Sequence, residues 1–146
     1  MREVAKKKLD ELGYKQSGDF RSKDGKELDL TFVIDYGDSV STAVSNLVQS
    51  QLKAVGVNVK IKSVPVAELF KNYVYRGAYD IVYYALAAPP LPISAGGPFF
   101  YWNQGSPGRN FSAIGNDTIN KLLDQAGSEL DENKRIDLIQ QVDTEI

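Results

Sequence analysis

The sequence contains no cysteine and no histidine among its 146 residues. Without cysteine the chain can form no disulfide, no thiolate zinc site and no iron–sulfur cluster. Without histidine it cannot assemble a Ser-His-Asp or Cys-His catalytic arrangement, and it lacks imidazole as a metal ligand and proton carrier. Any catalysis would depend on carboxylates, and any metal site would need oxygen ligands alone. We therefore expect no cofactor and no metal.

Charge and long apolar runs are also scarce. The 17 basic and 19 acidic residues leave a net charge of −2, which gives no general attraction to nucleic acid or to an anionic membrane surface. No apolar run approaches the roughly 18 residues of a membrane-spanning helix. Hydrophobic residues make up 42% of the chain, which is enough for the core of one globular domain. We expect no nucleic-acid partner.

Hydrophobic periodicity predicts alternating strands and helices. Strands are predicted at 20–23, 28–36, 57–62 and 81–86, the first two joined by a turn at Asp24-Gly25. Helices are predicted at 4–12, 43–55, 66–76, 119–126 and 132–142, with caps at Ser39 or Ser41, at Asn116 or Asp117 and at Asp131, and stops at Gly56, Gly77 and Gly127. The β-α-β-α-β order predicts parallel strands with right-handed crossovers. The fold class is therefore α/β.

The stretch 87–111 breaks this periodicity. It holds five of the six prolines, and Arg109 is the only formal charge between Asp80 and Asp117. Irregular segments of this length inside a domain are uncommon and often functional. Five aromatic residues favour packing over disorder: Phe99, Phe100, Tyr101, Trp102 and Phe111. We predict an ordered loop that faces a ligand or a partner, although the same aromatic residues could simply cover the end of the sheet as core.

Both ends of the sequence fall within helical patterns. No capping residue precedes the first pattern, and no glycine follows the last one at Ile146. We therefore expect this sequence to be an excerpt from a longer protein.

An ordered series of motifs resembles bacterial solute-binding proteins of the peptide/nickel class, family 5. The series starts with a helix that ends in LGY at 12–14 and with DGK at 24–26, and continues with LVQSQLKAVGVNV at 47–59 and AYDI at 78–81. The later helices follow, with NFS at 110–112, LLDQA at 122–126 and DENKR at 131–135. Each motif is loose on its own, but together they cover nearly the whole chain in order.

This resemblance implies that residues 1–146 are a single lobe of a two-lobed protein, with the type II periplasmic-binding-protein fold, a mainly parallel sheet and flanking helices. It also implies an extracytoplasmic receptor, in the periplasm or as a cell-surface lipoprotein, that delivers a solute of the peptide class to the membrane subunits of an ABC importer. The N-terminal lobe and the signal or anchor would lie outside the excerpt. Binding by lobe closure, without chemistry, would be the mechanism.

The implied ligand site lies at the carboxyl ends of the strands and in the irregular loop. Its residues are Asp35, Tyr36, Tyr84, Ala85, Leu86, Tyr101, Trp102, Asn103 and Arg109. Peptide-binding members of the family usually have an acidic stretch after the tyrosine-aspartate strand, but this chain has none between Leu86 and Pro92. Another peptide mode, a sugar stacked on Trp102 or Tyr101, and an acidic solute at Arg109 therefore stay open.

Two alternatives come from other classes of protein. A carboxylate hydrolase would use Asp35, which ends a strand where open α/β sheets bind ligands. Asp80 begins another strand, and we estimate that it lies about 20 Å from Asp35, too far to share a substrate. Asp38 is nearer but equally suits a turn or a place near a helix cap. A protein-interaction domain would instead present the aromatic loop as an exposed patch. We expect no catalytic residue.

Overall fold

A computed structural model of the chain describes residues 2–85, 97–103 and 110–146. The chain divides into two compact units, residues 1–85 and residues 86–146. Among the described helices, none is long and apolar enough to cross a membrane.

The first unit begins with a helix and a small antiparallel sheet. Helix α1 (Arg2–Glu11) is followed by strands β1 (Lys15–Ser17), β2 (Phe20–Lys23) and β3 (Lys26–Glu27), in the order β1-β2-β3. The predicted hairpin at Asp24-Gly25 is confirmed, with φ of 52° and 77° at the two turn residues. These left-handed conformations suit a tight turn between antiparallel strands. Strand β1 was not predicted, because its three residues are all exposed.

A three-stranded parallel sheet is the centre of the first unit. Strand β4 (Asp29–Asp35) lies between β5 (Asn58–Val64) and β6 (Ile81–Tyr83), and both pairs are parallel as predicted. Helix α2 (Ser39–Lys53) connects β4 to β5. A shorter helical segment connects β5 to β6 and consists of an α-helical turn α3 (Val66–Glu68), a π-helical turn (Leu69–Tyr73) and a 3-10 turn (Val74–Arg76).

Helices cover both faces of this sheet. Phe32 and Ile34 pack on one face with residues of α1 and α2: Ala5, Leu9, Val48 and Leu52. Lys62 points to the other face, where its ammonium lies 4.9 Å from the ring centre of Tyr73. Strand β4 is therefore enclosed on both sides, with Phe32, Val33 and Ile34 at most 2% exposed. This confirms the prediction from its uninterrupted apolar run.

The second unit contains a 3-10 turn (Gly97–Phe99) and two helices, α4 (Asp117–Ser128) and α5 (Glu132–Glu145). The helices pack together through Ile119, Leu123 and Val142. The predicted caps Asn116 and Asp131 are confirmed, since both side chains accept hydrogen bonds from amides of the first helical turn. Of the predicted loop 87–111, only 97–103 and 110–111 are described.

Several predicted boundaries were wrong, and three of them concern a helix cap, a strand end and a predicted glycine stop. Helix α2 is capped by Asp38 rather than by Ser39 or Ser41, because the carboxylate of Asp38 accepts the amides of Val40 and Ser41. Strand β6 ends at Tyr83, not at Leu86, and Leu86 lies outside the described residues. Helix α4 continues through Gly127 to Ser128, since a glycine weakens a helix without ending it when packing holds the last turn.

Candidate functional site

Four of the predicted ligand residues lie at the carboxyl edge of the parallel sheet. Asp35 is the last residue of β4 and is half-buried, and Tyr36 follows it with 73% of its surface exposed. Tyr84 and Ala85 come directly after β6. Strands β4 and β6 are paired in parallel up to Tyr83, so Asp35 is level with Tyr84 at the usual strand spacing of about 4.8 Å. These four residues therefore share one edge.

Two carboxylates near this edge are used in different ways. Asp38 accepts hydrogen bonds from the Ser41 hydroxyl and from the amides of Ser41 (3.0 Å) and Val40 (3.1 Å), and these bonds hold the pKa of Asp38 below its ordinary value. In the first unit, no described side chain forms a hydrogen bond or an ion pair with Asp35. The carboxylate of Asp38 therefore caps α2, while the carboxylate of Asp35 can accept hydrogen bonds from a ligand.

Asp80 lies toward the opposite end of the sheet. Its carboxylate accepts the amide of Thr31 at 2.7 Å, and its own amide donates to the carbonyl of Thr31. Thr31 is four residues before Asp35 on β4, which corresponds to about 13 Å along a strand. The estimate of about 20 Å was therefore too long. Asp35 and Asp80 are still too far apart to act on one bond.

Tyr84 contributes a ring and a hydroxyl to the carboxyl edge. Its ring meets that of Phe70 edge to face, with centroids 5.2 Å apart and planes at 64°. Burial raises the pKa of the Tyr84 hydroxyl, and the nearby hydroxyl of Tyr79 adds to this effect. The Tyr84 phenol therefore stays protonated at neutral pH and can both donate and accept a hydrogen bond.

The amino edge of the sheet contains a buried arginine that sequence reasoning missed. Arg21 is 5% exposed, and its guanidinium donates to the carboxylate of Asp10 (2.7 Å) and to the carbonyls of Tyr14 (2.8 Å) and Val55 (2.9 Å). The guanidinium also holds the pKa of Asp10 below its ordinary value. Arg21 thereby ties α1 and β2 to the turn between α2 and β5. The hydrophobic pattern of the sequence does not predict the burial of Arg21, because a pattern analysis treats a charged residue as exposed.

Three predicted ligand residues are consecutive in the second unit. Tyr101 packs against the cluster formed by α4 and α5, and its hydroxyl lies 3.3 Å from the carboxylate of Asp124. Trp102 is half-buried, and Asn103 is exposed. Arg109 lies outside the described residues. Tyr101, Trp102 and Asn103 belong to the second unit, whereas the residues of the sheet edge belong to the first.

Two asparagines hold the segment that carries Trp102. The side chain of Asn120 accepts the amide of Trp102 at 2.8 Å and donates to its carbonyl at 2.7 Å. Asn110 is 1% exposed and donates to the carbonyl of Ile114 at 2.8 Å. Sequence reasoning assigned neither role, because amide side chains that bind the main chain leave no periodic signal. These bonds fix the main chain at Trp102.

No group of three or more acidic residues that could hold a metal ion occurs in the ranges 2–85, 97–103 and 110–146. The site chemistry visible at the sheet edge is one accessible carboxylate with aromatic rings and phenol hydroxyls beside it. Such groups recognise donors, cations and apolar surfaces.

Residues 2–112 match the family model described as "Bacterial extracellular solute-binding proteins, family 5 Middle". The chain belongs to this family. Among the curated proteins, the oligopeptide-binding protein OppA of Mycobacterium tuberculosis is 31% identical over 141 residues, which are 97% of this chain. The chain spans 23% of the length of that relative.

Solved structures of two oligopeptide-binding proteins have the same fold. The oligopeptide-binding protein AppA of Bacillus subtilis, in complex with a nonapeptide, is 26% identical with a TM-score of 0.74, and the match covers 96% of this chain and 28% of that one. A periplasmic oligopeptide-binding protein of Thermotoga maritima, bound to mannohexaose, is 25% identical with a TM-score of 0.75, covering 97% and 28%. The type II periplasmic-binding-protein fold that the sequence predicted is thereby confirmed.

Proposed function

We propose that this chain is part of one lobe of an extracytoplasmic binding protein that takes up peptides for an ABC importer. The observation that carries the proposal is the match over 97% of the chain to a protein named for oligopeptide binding. The position of Asp35 and of the exposed Tyr36 at the carboxyl edge of the parallel sheet supports it, because open α/β sheets bind ligands there. The partners would be the peptide, a second lobe and the membrane subunits of the importer, with the protein in the periplasm or anchored to the cell surface as a lipoprotein.

In this proposal the sheet edge binds the solute and performs no chemistry. Asp35 accepts hydrogen bonds or a positive charge from the peptide, while Tyr36 and Tyr84 provide ring faces and hydroxyls. Five residues of the second unit stay separate ligand predictions: Leu86, Tyr101, Trp102, Asn103 and Arg109. Closure of two lobes around the peptide would then signal an occupied receptor.

A hydrolase that uses Asp35 is less well supported. General acid–base catalysis by carboxylates needs a second acid in reach of the substrate. The nearby carboxylate of Asp38 is occupied by the cap of α2, and that of Asp80 is occupied by the amide of Thr31. These contacts weigh against a catalytic pair at this edge.

Mass spectrometry of the solutes that co-purify with the full-length protein tests the proposal directly. We expect a set of short peptides, released on unfolding and replaced by synthetic peptides in a titration. Recovery of a single non-peptide solute that saturates the protein, with no binding of peptides, would contradict the peptide assignment.

A further inference from the structure

Asp35 and Lys62 lie on the same face of the parallel sheet. Side chains alternate between the two faces of a strand, so Asp35 and Val33 of β4 point to one side. The register pairs Val33 with Lys62 and Asp35 with Val64 on β5. Val64 is 5% exposed. The half-buried carboxylate of Asp35 therefore lies beside a buried apolar side chain, with a lysine next to it on the same face.

This lysine does not neutralise Asp35. The ammonium of Lys62 lies over the ring of Tyr73, 4.9 Å from its centre. No described side chain of the first unit, Lys62 included, forms an ion pair or a hydrogen bond with the carboxylate of Asp35. A carboxylate loses its hydration when a ligand covers it, and the cost is high unless a cation or several donors replace the water. A ligand that covers Asp35 compensates this loss best by supplying the positive charge itself.

A guanidinium suits this carboxylate better than an ammonium group does. The two oxygens of one carboxylate match a parallel pair of guanidinium N–H donors, whereas an ammonium group directs three donors at separate acceptors. The other carboxylate near this edge, Asp38, caps α2. Tyr84 is level with Asp35 across the β4–β6 pair, and its half-buried ring adds an aromatic surface of the kind on which guanidinium groups stack.

We propose that Asp35 forms a subsite for an arginine side chain of the bound peptide. The guanidinium donates two parallel hydrogen bonds to the carboxylate and lies against the ring of Tyr84. The inference rests on the proposed function, because it names the class of peptide that the same edge selects. A hydrogen bond to a charged group changes affinity by about 10- to 150-fold.

The test is a titration of the full-length protein with alanine pentapeptides that carry one arginine at each position in turn. A matched series carries citrulline, which has nearly the same shape as arginine but no charge, and a third series carries lysine. We expect one position at which arginine binds at least tenfold more tightly than citrulline and also more tightly than lysine. Asp35→Asn should abolish the preference for arginine over citrulline.

Asp19→Asn is the matched control variant. Asp19 is exposed in the turn between β1 and β2, so its substitution removes the same charge and should leave the preference unchanged. Thermal unfolding of each variant establishes that it is folded. Each peptide is also titrated with its amino terminus acetylated, which separates the side-chain cation from the terminal ammonium group.

Four results would overturn the arginine subsite while leaving the proposed function intact. These are peptides that bind with no preference for arginine at any single position, lysine that binds as tightly as arginine, a preference that survives in folded Asp35→Asn, and an effect of Asp35→Asn that acetylation of the peptide removes. The last result would assign Asp35 to the terminal ammonium group. Failure of every peptide to bind would instead overturn the proposed function, and the subsite with it.

Discussion

The two edges of the parallel sheet use their carboxylates differently. At the amino edge, Asp29 binds Asn58 and Lys60, which hold its pKa below the ordinary value. Asp80 at the same edge accepts an amide from β4. At the carboxyl edge, the carboxylate of Asp35 has no hydrogen-bond or ion-pair partner among the described residues of the first unit. The carboxylates of Asp29 and Asp80 therefore stabilise the fold at the amino edge. The carboxylate of Asp35 stays available for binding at the carboxyl edge.

The amino edge also carries the buried guanidinium of Arg21. Arg21 connects three parts of the chain there, and the neighbouring Gly56 lies against it. Because these contacts stabilise the fold, substitutions at the amino edge should destabilise the protein without a specific effect on binding. Substitutions at Asp35 should do the reverse.

Replacement of the buried arginine should have the largest effect on stability. Arg21→Met removes three hydrogen bonds and leaves the carbonyls of Tyr14 and Val55 without this donor. We expect the free energy of unfolding to fall by about 3 kcal/mol, measured by urea denaturation. Lys26→Met, on the exposed strand β3, is the control and should stay within about 0.5 kcal/mol. A loss at Arg21 no larger than that of the control would show that the amino edge is not the structural one.

A glycine beside Arg21 should give the next largest effect. Gly56 has φ of +87°, and a Cβ there would lie 2.7 Å from the Cγ of Arg21 and 2.7 Å from the Oε1 of Gln16. Gly56→Ala should therefore cost about 2 kcal/mol, from backbone strain and displaced neighbours together.

The matched control for Gly56 is Gly25→Ala. Gly25 has a similar φ of +77° but nothing within 4 Å of its added Cβ. Gly25→Ala should therefore lower the free energy of unfolding by the cost of backbone strain alone, about 1 kcal/mol. Equal losses in the two variants, read from the same urea midpoints, would mean that close packing around Arg21 contributes nothing.

The acid dependence of stability should show that Asp38 is a structural carboxylate. The pKa of Asp38 is lower in the folded chain than in the unfolded chain, because the Ser41 hydroxyl and the amides of Ser41 and Val40 bind the carboxylate. Its stabilising contribution is therefore complete above the unfolded pKa and is lost as the pH falls below about 4.

Asp38→Asn should keep the cap and remove this titration, since asparagine caps helices as well as aspartate does. Denaturation curves between pH 7 and pH 2 should show nearly unchanged stability at neutral pH and a shallower decline in acid. A decline as steep as that of the unsubstituted protein would remove Asp38 from the groups responsible for it.

Sequence patterns predicted the elements whose burial follows a simple period. Strand β4 was predicted as buried on both faces from Phe32, Val33 and Ile34, and helices α2, α4 and α5 were predicted from their apolar stripes. These predictions succeeded because the hydrophobic effect acts on each side chain according to the face on which it lies.

The remaining features depend on contacts between polar groups that are distant in sequence. The burial of Arg21 depends on its hydrogen bonds to the carboxylate of Asp10 and to two carbonyls. The N-cap of α2 is Asp38 instead of Ser39 or Ser41, because the carboxylate of Asp38 reaches the first amides of the helix. The π-helical turn has no periodic signal at all. For the ligand residues, the sequence predicted a shared edge for Asp35 and Tyr84, which the register of β4 and β6 now supports.

The most direct test of the two-edge account is the peptide affinity of Asp35→Asn and Asp80→Asn in the full-length protein, measured by titration calorimetry together with thermal unfolding. A hydrogen bond to a charged group contributes roughly 1.5–3 kcal/mol, so Asp35→Asn should weaken binding at least tenfold with no loss of stability. Asp80→Asn should leave affinity within about twofold and lower the unfolding temperature slightly, because it weakens the bond to the Thr31 amide. Unchanged peptide affinity in Asp35→Asn would contradict the assignment of the carboxyl edge as the binding edge.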